Sequence, residues 1–115
     1  MVEDDLELVE LLKFNLTKAG FTVSVATDGA QALKQVRSHL PSLILLDLML
    51  PELDGLAVCE ILRRDPATAG VPIIMLTALS SQLARVAGLG AGANDYIAKP
   101  FKVKDLLGSI QSVLN

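Results

Sequence analysis

Leu43-Ile44-Leu45-Leu46-Asp47-Leu48-Met49-Leu50-Pro51 decides how this chain is read. Four apolar residues run into a carboxylate, and a turn follows that reaches Pro51. A continuous apolar run without alternation is the pattern of a strand buried on both faces. An ionised carboxylate at the end of such a run is costly to desolvate unless a partner offsets it. Three other segments offer a partner at the end of an apolar stretch. They are Glu3-Asp4 at the N-terminus, Thr77 after Ile73-Ile74-Met75-Leu76, and Lys99 after Tyr96-Ile97-Ala98. Acids, a hydroxyl and an ammonium at matching strand ends make a site for a metal and a phosphoryl group.

Outward from that run, helix and strand patterns alternate. Leu6 to Ala19 carries Leu8, Leu11, Leu12 and Leu16 at helical spacing, with Asp4 or Asp5 as N-cap and Gly20 as a stop. Phe21 to Ala26 alternates, is rich in Val and Thr, and reads as a strand. Gly29 to Leu40 reads as a helix closed by Pro41, and Leu56 to Arg64 as another, broken by Asp65-Pro66. A polar loop then runs to Gly70. Ile73 to Thr77 is a second buried strand, and Asp95 to Lys99 a short third one. Ser80 to Ala91 is a helix weakened by Gly88 and Gly90, and Val103 to Leu114 is the last helix. Alternation of this kind predicts a doubly wound parallel sheet with helices on both faces. Ligands bind such sheets at the carboxyl ends of the strands, where Asp47, Thr77 and Lys99 fall.

Composition excludes several classes. With 115 residues the chain is expected to form one domain, 1–115, around one core. No apolar run approaches the roughly 20 residues of a bilayer crossing, and the acidic start argues against a secretory signal. Cytoplasmic residence and no membrane partner are the expectations. Net charge is −3 and the aromatic content is 3%, so direct nucleic-acid binding is not expected. The single cysteine, Cys59, excludes an internal disulfide and is expected to be buried and inert. His39, the one histidine, sits at a helix end as a cap or a solvated residue.

Val2-Glu3-Asp4-Asp5, Leu45 to Pro51, Asp54-Gly55, Met75-Leu76-Thr77-Ala78 and Lys99-Pro100-Phe101 together resemble the receiver domain of bacterial two-component response regulators. The resemblance covers nearly the whole chain, in order. It implies a flavodoxin-like sheet of strand order 2-1-3-4-5 and a switch driven by phosphorylation. Asp47 matches the phosphoacceptor. Asp4, Asp47 and the Met49 carbonyl match ligands of Mg²⁺ (or Mn²⁺), with Glu3 acting through water. Thr77, Lys99 and the Ala78 backbone match the phosphoryl contacts, and Thr77 and Tyr96 the switch pair. Lys99-Pro100 matches the family's cis peptide. The implied partner is a histidine kinase or phosphotransfer protein, and the chain is not expected to be an enzyme beyond slow self-phosphorylation and self-dephosphorylation. Taken singly, the residues have plainer readings. Asp47 also fits a strand-end cap, Glu3-Asp4-Asp5 an acid-rich helix start, and Tyr96 a packing residue.

Two features depart from the family. Only Met1-Val2 stand where a first strand of about five apolar residues is implied, the central strand of the order 2-1-3-4-5. A gap is therefore expected between Phe21–Ala26 and Leu43–Asp47, with unpaired backbone along it. A truncated fragment, completion by a partner chain, and a second strand moved in beside the third all fit. A homo-oligomer or a destabilised monomer is expected. Receivers attached to winged-helix DNA-binding domains share a charged dimer network, which Arg85, Asp95 and Asp105 fit, but Asn94 and Ser109 stand where charged partners are implied. That dimer mode is therefore not assigned. The functional alternatives are a receiver-derived scaffold or dimerisation module that no longer phosphorylates, an aspartate-nucleophile phosphatase, and a flavin carrier of the same layer architecture. A phosphatase of that kind wants a second Asp where Met49 stands, and a flavin carrier wants a phosphate loop that is absent.

Overall fold

The computed structural model describes residues 1–2, 6–22, 24–26, 28–47, 55–77, 89–98 and 101–114, without the side chains of Leu6 and Thr77. Among these residues seven elements are defined: α1 (Leu6–Lys18), α2 (Gly29–Ser38), β1 (Ile44–Asp47), α3 (Gly55–Arg64), β2 (Ile73–Thr77), β3 (Asp95–Ala98) and α4 (Val103–Leu114). The strands form a parallel sheet in the order β1-β2-β3. Ile44 is in register with Ile73, and Ile74 with Asp95.

The period of two along each strand divides the core. Ile44, Leu46, Ile73 and Met75 pack with Val36 of α2 and with Val58 and Leu62 of α3. Leu45, Ile74 and Leu76 point the other way, onto Leu12 and Leu16 of α1 and Leu106 and Ile110 of α4. Both faces of the sheet are therefore covered, which is why β1 and β2 read as unbroken apolar runs. Each such side chain, fully buried, contributes about 1.5–3 kcal/mol.

Helix ends follow local chemistry. Gly20, at φ 98°, takes the left-handed turn after α1, and Phe21 N–H donates back to the Leu16 carbonyl at 3.0 Å. Asp28 caps α2 by accepting from the Gln31 N–H at 2.8 Å. That helix stops at Ser38, short of the expected Leu40, which is exposed and has no core to face. His39 is its C-cap residue, its backbone N–H donating to the Gln35 carbonyl.

The start of the chain corrects one expectation. Val2 makes parallel bridges to both Ala26 and Leu46. It donates to the Leu45 carbonyl at 2.7 Å and accepts from the Asp47 N–H at 2.9 Å, while the Met1 carbonyl accepts from Ala26 N–H at 2.9 Å. The central position is thus held by Met1-Val2, and the second segment has not moved in beside β1. These three backbone hydrogen bonds and two bridges place Met1-Val2 between Ala26 and β1, in the strand order the resemblance implies. Of the expected strand Phe21–Ala26, the described residues show the single bridge at Ala26. Behind Met1, a cavity of about 930 Å³ opens between that segment and Leu43–Leu45.

Candidate functional site

The register of the sheet brings four chain segments to one end. Leu46, Met75 and Tyr96 lie in one row of paired residues, and Val2 bridges Leu46 in the same row. One step further along come Asp47, paired with Leu76, and then Ile97. Thr77 and Ala98 pair in the next row and end β2 and β3. From these ends the chain passes into Glu3 after Val2, into Leu48 after Asp47, and into Lys99 after Ala98. Every segment assigned to the site therefore arrives at the same edge of the sheet.

Asp47 itself is 4% exposed. Its backbone N–H is tied to Val2, so the carboxylate's strand and the leg that leads to the acid pair move as one. A buried carboxylate at a strand end needs polar company. Among the described residues no buried side-chain nitrogen or oxygen lacks a hydrogen-bond partner. Tyr96 is half-buried at the middle row and packs against the core beside α3. Its backbone N–H donates to Asp95 Oδ1 at 2.7 Å. Thr77 is placed by its backbone alone. Glu3, Asp4, Met49, Ala78, Lys99 and Pro100 lie outside the described residues, as do Asp5, Ser80 and Arg85.

For a divalent cation the assigned donors are all oxygens, the set that Mg²⁺ prefers. Among the described residues no three His, Cys, Asp or Glu side chains gather to hold a metal. Asp47 is the described member of the assigned set, buried at the strand end.

A family model for the response regulator receiver domain matches residues 1–111. The chain belongs to that family. MtrA of Mycobacterium tuberculosis, described as a DNA-binding response regulator, is 48% identical over 114 residues, 99% of this chain and 49% of that protein. The chain thus spans about half the length of the curated relatives it matches. The BeF3-activated receiver domain of Klebsiella pneumoniae RstA superposes with a TM-score of 0.92 at 36% identity, covering 99% of this chain and 95% of that one. The receiver domain of the sensor histidine kinase PA1611 from Pseudomonas aeruginosa, which has a magnesium ion in its active-site cleft, gives 0.90 at 36% identity, over 98% and 93%.

In this receiver the two residues that break the charged dimer pattern have work within the chain. Asn94 Oδ1 accepts from Ile73 N–H at 2.8 Å and from Arg63 Nη2 at 2.9 Å. Ser109 Oγ donates to Asp95 Oδ2, joining α4 to the start of β3. Arg63 went unremarked in the sequence, yet it is a hub. Its Nε donates to the Gly92 carbonyl at 2.9 Å, and Nη1 to the Val71 and Ala69 carbonyls at 2.6 and 3.1 Å. Thr68, also missed, is buried in the loop after α3 and donates to the Leu62 carbonyl at 2.7 Å. Cys59 is buried and donates to the Ala91 carbonyl at 3.3 Å, and burial raises its thiol pKa. A raised thiol pKa fits the inert role expected of it.

Proposed function

We propose that this receiver is a signalling switch that accepts a phosphoryl group on the Asp47 carboxylate from a histidine kinase or phosphotransfer protein. The observation that carries the reading is the register: buried Asp47 ends β1 beside Val2, and Thr77 and Ala98 end the next two strands at the same edge. A carboxylate oxygen of Asp47 forms the new P–O bond as the donor's N–P bond breaks. Asp4, Asp47 and the Met49 carbonyl, with Glu3 through water, would hold Mg²⁺ (or Mn²⁺), which would supply charge neutralisation at the phosphoryl oxygens. Lys99 pairs with those oxygens, the Ala78 backbone contacts them, and Thr77 donates to them. Thr77 and Tyr96 then carry the change to the surface around β3.

The chain acts as an acceptor in the cytosol rather than as a turnover enzyme, since Met49 stands where a hydrolase would place its general acid. Magnesium in the PA1611 receiver and the DNA-binding description of MtrA support the metal and an output on DNA through a partner domain. Self-association belongs to the same proposal and is supported by Leu11 and Phe14, 51% and 67% exposed on α1. Sedimentation at rising concentration tests it, and an unchanging monomer refutes it.

The deciding experiment is intact mass after incubation with Mg²⁺ and a small acyl phosphate. A phosphoryl adduct is expected on the parent chain, and none on Asp47→Ala or after chelation of the metal. An unmodified parent that is folded by circular dichroism would refute the switch and leave the receiver-derived scaffold.

A further inference from the structure

Side-chain burial specifies the place of β3 in the sheet less than that of β1. β3 spans only Asp95–Ala98 and stands at the end of the described sheet, paired with β2 alone. Its residues are all half-buried, whereas those of β1 are all buried. Register is tightly set where a face is fully buried and loosely where it is not. Yet Lys99 follows directly on Ala98, so the register of β3 decides where that residue leaves the sheet. A slip of one residue would move its starting point by ~3.3 Å and turn Tyr96 to the opposite face.

The register is pinned at the other end of the strand. Ile73, the first residue of β2, turns both its backbone groups to Asn94, the residue just before β3. Asn94 N–H donates to the Ile73 carbonyl at 2.7 Å, and Ile73 N–H donates to Asn94 Oδ1 at 2.8 Å. Backbone and side chain of one residue thus close both bonds, and sliding β3 by one position breaks both. Arg63 holds the clamp from α3. Its Nη2 donates to the same Oδ1 at 2.9 Å, its Nε to the Gly92 carbonyl at 2.9 Å, and its Nη1 to the Val71 carbonyl at 2.6 Å. The chain entering β2 and the chain entering β3 therefore meet on one guanidinium.

We propose that Asn94 is a positioning residue for phosphoryl transfer: its side chain, oriented by Arg63, sets the register of β3 and thereby the place from which Lys99 meets the phosphoryl oxygens. The inference rests on the reading of Asp47 as phosphoacceptor and of Lys99 as its cationic contact. Asn94 acts through the length of β3, since it precedes the strand and Lys99 follows it. The residue is exposed, so water can replace its amide on Ile73 and Arg63. A chain without that amide is expected to fold. Water satisfies the donors but does not tie β3 to β2, so the strand is held more loosely.

The rate of phosphoryl adduct formation with Mg²⁺ and a small acyl phosphate is read by intact mass for the parent, Asn94→Ala and Asn94→Asp. Asn94→Ala is read again in a Lys99→Ala background. Backbone nuclear Overhauser effects between Met75 and Tyr96 and between Leu76 and Ile97 report the register without phosphorylation. Misplacing a reacting group by about 1 Å costs on the order of 100-fold, and the loosened strand of Asn94→Ala is expected to react about tenfold more slowly. Its cross-strand effects are expected to weaken. Asn94→Asp keeps the acceptor oxygen and is expected to stay within about twofold of the parent. In the Lys99→Ala background the same Asn94→Ala change is expected to cost less than about twofold, because the residue it positions is gone. A merely structural asparagine would cost the same factor in both backgrounds. Where Lys99→Ala reacts too slowly to time, the cross-strand effects decide. The proposal is overturned by an unchanged rate or unchanged cross-strand effects in Asn94→Ala, by equal slowing in both backgrounds, or by an aspartate no better than alanine. Any of these in a parent that takes the phosphoryl group removes the role of Asn94 and leaves the switch standing. A folded parent that takes none overturns the switch and this role together.

Discussion

Replacing Arg63 should cost more stability than any surface arginine of an ordinary helix. Four acceptors converge on its guanidinium: the Gly92, Ala69 and Val71 carbonyls and Asn94 Oδ1. They come from the loop after α3 and from the turn that enters β3, so one side chain ties three pieces of chain. The bonds to Ala69 and Asn94 are exposed, and water replaces them at little cost. The bonds to Val71 at 2.6 Å and Gly92 at 2.9 Å are partly buried. A hydrogen bond to a charged group contributes about 1.5–3 kcal/mol, so Arg63→Ala should lose about 3 kcal/mol from those two. With an unfolding entropy of about 2.1 cal/mol/K per residue, that lowers Tm by about 12 °C. Urea unfolding followed by far-ultraviolet circular dichroism measures it, with an unchanged slope as the sign that only stability has moved.

Arg63→Lys sharpens the test. A lysine has the charge but one nitrogen, which cannot reach three carbonyls on two segments. It should recover less than half of the loss. If the alanine variant loses under about 1 kcal/mol, the value of an exposed ion pair, the hub is decorative and the reasoning fails. If lysine matches arginine, charge and not the fork of donors is what matters, and the geometric account fails instead.

Gly92 has φ 111°, and a Cβ built there would lie 2.7 Å from Arg63 Cγ. Gly92→Ala should therefore cost about 2 kcal/mol, falling toward ~1 kcal/mol in an Arg63→Ala background where only backbone strain remains; equal costs in both backgrounds would exclude the clash. The Met1 α-ammonium has its pKa lowered from 8.0 to about 6 by burial. The folded chain then binds this proton more weakly than the unfolded chain, so stability should rise as pH goes from about 6 to about 8 and level off outside that window. Two units set an upper bound near 2.7 kcal/mol, and the half-exposed position of Met1 reduces it to about 1 kcal/mol. Urea midpoints across the window, compared with an N-acetylated chain that should show no such rise, check the sign.

What could be read from the sequence was whatever is periodic or punctuated. Ile73–Thr77 and Val103–Leu114 coincide with β2 and α4, because an unbroken apolar run and a helical stripe state their burial locally. Asp65-Pro66 ends α3 as its chemistry requires, Asp65 Oδ1 turning back to the Ala67 N–H. Asp47, Thr77 and Ala98 at one edge of the sheet follow from the same strand ends. Of the strand at Phe21–Ala26 the described residues show only the Ala26 bridge: alternation states burial, but pairing depends on a backbone elsewhere in the chain. Arg63 and Asn94 failed differently. Their bonds join residues 31 positions apart, and an arginine in the last turn of a helix looks the same whether it faces water or three carbonyls. Separation along the chain also explains Asn94 and Ser109, whose partners lie 31 and 14 positions away. Held against a pattern of interchain charges they are vacancies, whereas in the folded chain one closes the Arg63 hub and the other ties α4 to Asp95. Those positions are therefore spent on contacts within the chain. It follows that restoring a charge at Ser109 would first break a contact inside the chain, and any gain in association would have to exceed that loss.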